Sequence, residues 1–219
     1  MKVLVLVLTY LDNDIFSKFY KKQNETWNSI DVDDVDVYFN INGGDKKEIK
    51  SHFIINDLPE KVDTEYAKII NCFEQTINWD YDYIFHTNSS SYVDKSLLYK
   101  WLLDKPRNGF YSGVIGGYKE HTFASGCGFT ISKDVVKLII ENQNNWGRGH
   151  ELAYAVGDDV TLGILLYNLG INPYPAPRFD ITDSTYIPSD FFHYRCKTDN
   201  REFDVNNMDK IFISKYNNL

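Results

Sequence analysis

The sequence predicts an α/β fold, with a mixed, mostly parallel central sheet flanked by helices. Three observations predict it. Lys2–Leu8 is a continuous apolar run of Val and Leu, the pattern of a central parallel strand covered on both faces. Segments with apolar residues at helical spacing alternate with short runs of β-formers along most of the chain. Between Tyr81 and Asp94 a short strand changes abruptly into small polar residues and then into a helical pattern. Open α/β sheets hold ligands in such places, at the carboxyl ends of their strands.

The elements follow in order. After Lys2–Leu8 comes the loop Thr9-Tyr10-Leu11-Asp12. Ile15, Phe16, Phe19 and Tyr20 recur at helical spacing, with Asp14 as the expected cap and Thr26-Trp27 as the close. Val35–Asn40 reads as the second strand, ended by the turn residues Asn42-Gly43-Gly44-Asp45. Phe53–Leu58 reads as a weak third strand ended by Pro59. Thr64 to Trp79 reads as a helix with Tyr66, Ile69, Ile70, Phe73 and Ile77 on one face and Asp63 as its cap. Tyr83–Phe85 is a strand, and Thr87-Asn88-Ser89-Ser90-Ser91 is a polar elbow expected outside the core. Asp94 opens a helix over Leu97–Leu103 that stops near Pro106.

Gly109–Ile115 reads as a strand running into Gly116-Gly117. Phe123–Ile131 reads as a strand interrupted by glycines, where a ligand can approach the backbone. Ser132-Lys133-Asp134 opens a helix through Glu141, and Asn142–Gly149 reads as loose and polar. Gly157-Asp158-Asp159 precedes a helix over Val160–Leu169, with Gly170 as its stop. The segment after Gly170 reads as short strands and loops. No repeat, linker or low-complexity stretch divides the chain, so one domain over residues 1–219 is the default.

The chain has 219 residues, 43% of them apolar and 25% charged, which suits a packed α/β domain and excludes disorder. Aromatics reach 16%, and Tyr suits stacking on a base or sugar ring, although the abundance of Asn, Ile, Lys, Tyr and Asp is also what AT-rich coding produces. A net charge of −8 argues against a nucleic-acid partner, because no basic stripe exists to neutralise phosphates. Three scattered cysteines, Cys72, Cys127 and Cys196, are too few for a disulfide framework or a zinc site. The apolar start is short for a signal peptide and far short of a membrane span, so a soluble, cytoplasmic protein is expected.

Four constellations carry candidate chemistry, and three of them have a plainer reading. The elbow Thr87–Ser91 is a ligand site or a helix-capping turn. Ser125-Gly126-Cys127-Gly128 lets a ligand approach backbone with no Cβ in the way. Asp158-Asp159 at a helix start can bind a metal or split roles, one oriented and one a general base, or is simple N-terminal capping. His193-Tyr194-Arg195-Cys196-Lys197 suits an anion such as a diphosphate, with His193 able to hold a metal, or is a solvated strand edge.

Taken in order, these stretches resemble the GT-A glycosyltransferases, of the fringe and β-1,3-galactosyltransferase kind. Asn24-Glu25-Thr26-Trp27 is similar to that family's Arg-x-x-x-x-x-Thr-Trp segment. His86-Thr87-Asn88-Ser89-Ser90-Ser91-Tyr92-Val93 resembles its metal-binding elbow, and Ser125–Ser132 its Ser-Gly-x-Gly strand. Asp158-Asp159-Val160 resembles its Glu-Asp-Val helix start, and His193 its late histidine. The resemblance spans residues 2 to about 197 and rests on shared order and spacing.

The resemblance implies a GT-A fold, a nucleotide-sugar donor, a glycan or glycoconjugate acceptor and a divalent cation, Mn²⁺ or Mg²⁺. Thr9 and Tyr10 would meet base and ribose, Thr87, Asn88, Ser89 and Ser90 the ribose, diphosphate or metal, and Ser125 and Gly126 the donor sugar. Asp159 would be the general base of an inverting displacement, with Asp158 orienting it. Arg195, His193 and Lys197 would stabilise the leaving diphosphate. The departure is the elbow, where Asn88-Ser89-Ser90 stand in place of acidic ligands and bind a hard divalent cation poorly. The metal is then weakly held, held by Asp94 or His193, or absent, with Arg195 and Lys197 neutralising the diphosphate directly. A neutral elbow and no anchor resemble the short soluble glycosyltransferases of large DNA viruses and some bacteria. The alternative is a non-catalytic nucleotide-sugar or glycan-binding module with a degenerate metal motif. A nucleotidyltransferase would need a glycine-rich, basic first loop, which Thr9-Tyr10-Leu11-Asp12 is not.

Overall fold

The computed structural model describes residues 1–143, 149–182 and 186–216. In chain order its strands and helices are β1 (Val3–Leu8), α1 (Asp14–Glu25), β2 (Val35–Ile41), β3 (Glu48–Lys50), β4 (Phe53–Ile55), α2 (Glu65–Thr76), β5 (Tyr83–Asn88), β6 (Ser91–Val93), α3 (Lys95–Leu102), β7 (Tyr111–Tyr118), β8 (His121–Ser132), α4 (Lys133–Asn142), α5 (Gly149–Val156), α6 (Asp158–Asn168), β9 (Tyr174–Pro175), β10 (Phe179–Ile181), β11 (His193–Cys196) and α7 (Arg201–Tyr216). The central sheet runs β3-β4-β2-β1-β5-β8-β7-β9, and a small second sheet runs β10-β11-β6. Four of the central sheet's seven pairings are parallel.

β1 is central because every residue of it is buried. Its pleat sends Val3, Val5 and Val7 into one core with Phe19, Phe85 and Leu98, and Leu4 and Leu6 into the other with Ile70, Phe73 and Ile131. Helices α1, α3 and α7 contribute to the first core, and α2, α4 and α6 to the second. Fully buried strands read as unbroken apolar runs, which is why β1 was legible.

Several expectations change. α1 is capped by Asn13, whose side chain accepts from Ile15 N, so Asp14 is the first helical residue and not the cap. Asp63 lies inside a 3-10 turn, Val62–Thr64, that leads into α2. β5 continues through Thr87 and Asn88, the elbow shrinks to a turn at Ser89-Ser90, and Ser91 opens β6. Its residues are not outside the core: Thr87, Ser89, Ser90 and Ser91 are all buried. Gly116-Gly117 lies within β7, which continues to Tyr118. The charged edge strand β3 and the short helix α5 carry too weak an apolar period to be read. The segment after Gly170 is not all strands and loops, because it ends in the long helix α7. Its inward stripe mixes Asp204 and Asn207 with Val205, Met208 and Ile211, which hides the period. Of the stretch read as loose and polar, residues 144–148 lie outside the described residues.

α6 lies against β8 at Gly163, where an added Cβ would sit 2.3 Å from Phe123 Cβ and 2.9 Å from its Cα. Backbone cannot yield there as a side-chain tip can. Gly163→Ala is expected to lower stability by about 1–3 kcal/mol despite the better helix propensity of Ala. Urea unfolding checks this, and an unchanged or higher midpoint would refute the close contact.

Candidate active site

Strand register brings the distant stretches to one end of the sheet. Leu8 pairs with Asn88, so the loop after β1 lies beside the elbow after β5. β8 runs antiparallel to β5 with Gly128 opposite Thr87, which sets Ser125–Cys127 beyond the same end. In the small sheet Arg195 pairs with Ser91, which brings the cationic strand to the elbow. Together they enclose a cleft of about 440 Å³. Ten of the predicted residues line it: Tyr10, Asn88, Ser89, Ser90, Ser125, Gly126, Asp158, Asp159, Arg195 and Lys197.

Thr9 and Thr87 stand behind this lining. Thr87 Oγ1 donates to Cys127 O at 2.7 Å, and Thr9 Oγ1 accepts from Ser89 Oγ at 2.9 Å. His193 is also behind it. It is buried, with Nε2 3.0 Å from Ser91 Oγ, and its ring packs where a Cβ on Gly128 would stand. Burial, helped by the charges of Arg178 and Arg195, brings its pKa down to about 3, so it is neutral.

The elbow is held by one side chain. Gln23 of α1 is fully buried, and its Nε2 donates to the carbonyls of Asn88, Ser89 and Ser91 at 3.3, 3.1 and 3.0 Å. Ser89 N donates to Leu8 O, Cys196 N donates to Ser90 O, and Asn88 Oδ1 accepts from Ser90 N. Thus the turn is tied to β1, β11 and its own backbone.

Tyr10 forms one wall with Phe16, ring centroids 5.1 Å apart. Its hydroxyl donates to Glu65 at the start of α2. Burial and the Glu65 carboxylate hold that phenol protonated. Beneath it Lys68, fully buried, donates to Thr9 O at 2.8 Å and to Glu60, with its ammonium 4.4 Å from the Tyr10 ring centroid. That ammonium fixes the first loop.

The two acids differ. Asp159 accepts from Gly126 N at 2.8 Å through one oxygen and from Val160 N at 2.9 Å through the other. It therefore ties α6 to β8. Asp158 has its pKa pushed up to about 7, by burial first and then by the charges of Asp159 and Glu65. A carboxyl in that range exchanges protons near neutrality.

The facing wall is cationic. Arg195 lies 3.6 Å from Asp180, and exposed Lys197 has no partner among the described residues. Arg178 forks onto Asp180 and donates to Ser125 Oγ at 3.2 Å. Arg201, the first residue of α7, donates to Ser90 Oγ at 2.9 Å. A second groove of about 620 Å³ continues beyond Arg195 and Lys197 past Ile181, Asn200 and Phe203.

Sequence reasoning missed Gln23, Glu65, Lys68, Arg178 and Arg201. Glu65 and Lys68 sit three residues apart near the start of a helix, a spacing shared with countless solvated faces. Arg201 was hidden because α7 was not recognised. Gln23 had no signal at all.

The divalent cation implied by the resemblance finds a poor donor set. Among the described residues no three His, Cys, Asp or Glu side chains gather as metal ligands. Asp94 caps α3 and pairs with Lys215 at 2.8 Å, and His193 sits beside two arginines.

Neither a protein-family model nor a curated protein matches the chain. Solved structures do. A glycosyltransferase involved in the glycosylation of the major capsid of PBCV-1 superposes with a TM-score of 0.55 at 11% identity, over 96% of this chain and all of that one. The galactosyltransferase LgtC, solved with donor and acceptor sugar analogs, gives a TM-score of 0.52 at 11% identity, over 99% of this chain and 96% of that one. The chain therefore has the GT-A glycosyltransferase fold. Among the described residues no helix is long and apolar enough to cross a membrane.

Gln23→Met keeps the size of the side chain but removes the donor from three carbonyls. It is expected to cost about 2–3 kcal/mol and to loosen the elbow. Unfolding and amide exchange at Ser89–Ser91 measure both, and unchanged protection there would show that the elbow holds itself.

Proposed function

We propose that this chain is a nucleotide-sugar-dependent glycosyltransferase, one GT-A domain over residues 1–219. The observation that carries the reading is the divided cleft: a carboxylic acid with a pKa near 7 on one wall and a group of cations on the other. Glycosyl transfer to a hydroxyl needs both, a base for the acceptor and positive charge for a leaving diphosphate.

The aromatic wall of Tyr10 and Phe16 takes the base, and the loop at Thr9 is shaped by Lys68 behind it. Asn88 to Ser90 present the turn to the ribose and diphosphate. Ser125, held by Arg178, and Gly126, whose N–H binds Asp159, line the donor sugar. The roles of the two acids are exchanged relative to the sequence reading. Asp159, with both oxygens engaged by backbone N–H groups, is the positioning residue. Asp158 is the base. It takes the proton of the acceptor hydroxyl while that oxygen bonds to the anomeric carbon and the bond to the diphosphate breaks. Attack from the face opposite the diphosphate inverts the anomeric centre. A pure binding module has no use for such a base, which weighs against the non-catalytic alternative.

A thermal-shift panel of nucleotides and nucleotide sugars identifies the donor, because a ligand bound to the folded state raises the midpoint. With that donor, Asp158→Asn is expected to lower transfer by about 100-fold or more while nucleotide affinity stays within about twofold. Turnover near wild type would remove Asp158 from the chemistry. The product anomer, read by proton NMR, tests inversion.

The same residue sets the pH dependence. A base must be deprotonated, so kcat/KM should rise with pH and level off above about 7. Stability should run the other way. The folded-state value of about 7 lies above the unfolded value of about 4, so the folded chain binds the extra proton between them. Its stability therefore falls as pH rises through that window. Asp158→Asn is expected to be more stable than wild type by roughly 1–3 kcal/mol at about pH 8, and equal to it at about pH 4. Identical chemical-denaturation curves at the higher pH would contradict the buried-acid assignment.

A further inference from the structure

We propose that Arg201, with Arg195 and Lys197, takes the place of the divalent cation, so that this chain binds the donor diphosphate without metal. The proposal rests on the donor-site reading above and specifies what neutralises the diphosphate there.

The oxygens of the elbow are already engaged. Asn88 Oδ1 turns onto Ser90 N at 3.1 Å, and Ser89 Oγ faces Leu8 O and Thr9 Oγ1 at 3.2 and 2.9 Å. Ser90 Oγ accepts from Arg201 at 2.9 Å. A cation bound to Ser90 would stand against a guanidinium, and like charges at that range repel. Neutral hydroxyl and amide oxygens offer Mn²⁺ or Mg²⁺ little in return.

Arg201 is built into its place. Its Nη1 donates to Cys196 O at 3.3 Å and pairs at 2.5 Å with Asp204, which is fully buried. Its guanidinium lies over the Phe19 ring at 4.7 Å from the centroid. Nη2 reaches Ser90, and Arg201 lines the cleft. A planar fork locked by packing matches paired phosphate oxygens.

The charge is also right. Around this wall Arg178, Arg195, Lys197 and Arg201 outnumber the carboxylates of Asp180, Asp199 and Asp204. The wall therefore keeps a positive surplus, as an anionic diphosphate requires. Buried His193 adds none, because it is neutral and its neighbours keep it so.

The test is calorimetric titration of the full chain with UDP and with GDP, in EDTA and in excess MnCl₂. The expected result is binding of one of them with the same affinity in both buffers, within about twofold. Lys197→Gln, an exposed side chain whose loss spares the fold, should weaken that affinity about tenfold and reduce its salt dependence. Arg201→Gln should weaken it further, with circular dichroism reporting whether the α7 start survives. Binding seen only with Mn²⁺, or raised about tenfold by it, would overturn the metal-free proposal and leave the donor site standing. Unchanged affinity in Lys197→Gln and in folded Arg201→Gln would overturn the assignment of the cations. No binding of either nucleotide in either buffer would overturn the proposal together with the donor-site reading.

Discussion

The site depends on the amide of Gln23. Two amide hydrogens face three carbonyl oxygens, and so one side chain of α1 holds both sides of the β5–β6 turn. Buried backbone carbonyls without a donor are costly, and a two-residue turn between strands of two different sheets has few ways to satisfy them. The arrangement has its own cost, because Gln23 Oε1 is buried without a partner among the described residues. Everything that faces the cleft from this side is set by it. Ser90 presents its hydroxyl to Arg201, Ser91 meets His193, and Arg195 falls into register opposite Ser91.

The cleft separates charge. Glu65, Asp158 and Asp159 occupy one wall, and burial first, then the charges of Asp159 and Glu65, lifts Asp158 toward neutrality. The arginines and Lys197 occupy the other. Between the two, the groups that would blur the contrast are neutral: the Tyr10 phenol is held protonated, and His193 is held unprotonated. Such a division fits a neutral acceptor on one side and an anionic leaving group on the other.

What could be read in advance follows a physical rule. β1 was legible because both its faces are buried, and so its residues carry no alternation to interpret. The helix behind Asp158-Asp159 and its stop at Gly170, which has φ +78°, were legible because caps and positive φ leave local marks. The elbow's place was legible from the abrupt change in polarity after Phe85. Its burial was not, since Ser and Thr say nothing about whether another helix will cover them. α7 was invisible because Asp204 and Asn207 share its inward face. Asp204 is at home there only because Arg201 and Thr198 satisfy its carboxylate.

The sequence by itself determined the α/β layering, the elements β1, α1, α2, β5, β8 and α6 around the cleft, and ten of the residues that line it, since these rest on local periodicity and turn chemistry. Only the tertiary structure decided which acid is lifted toward neutrality and which is tied to Gly126, that His193 lies beneath the cleft, and that an arginine reaches the elbow from α7. Those are contacts between residues far apart in the chain. Such a contact depends on strand register and helix docking, and neither leaves a mark on the residues nearby.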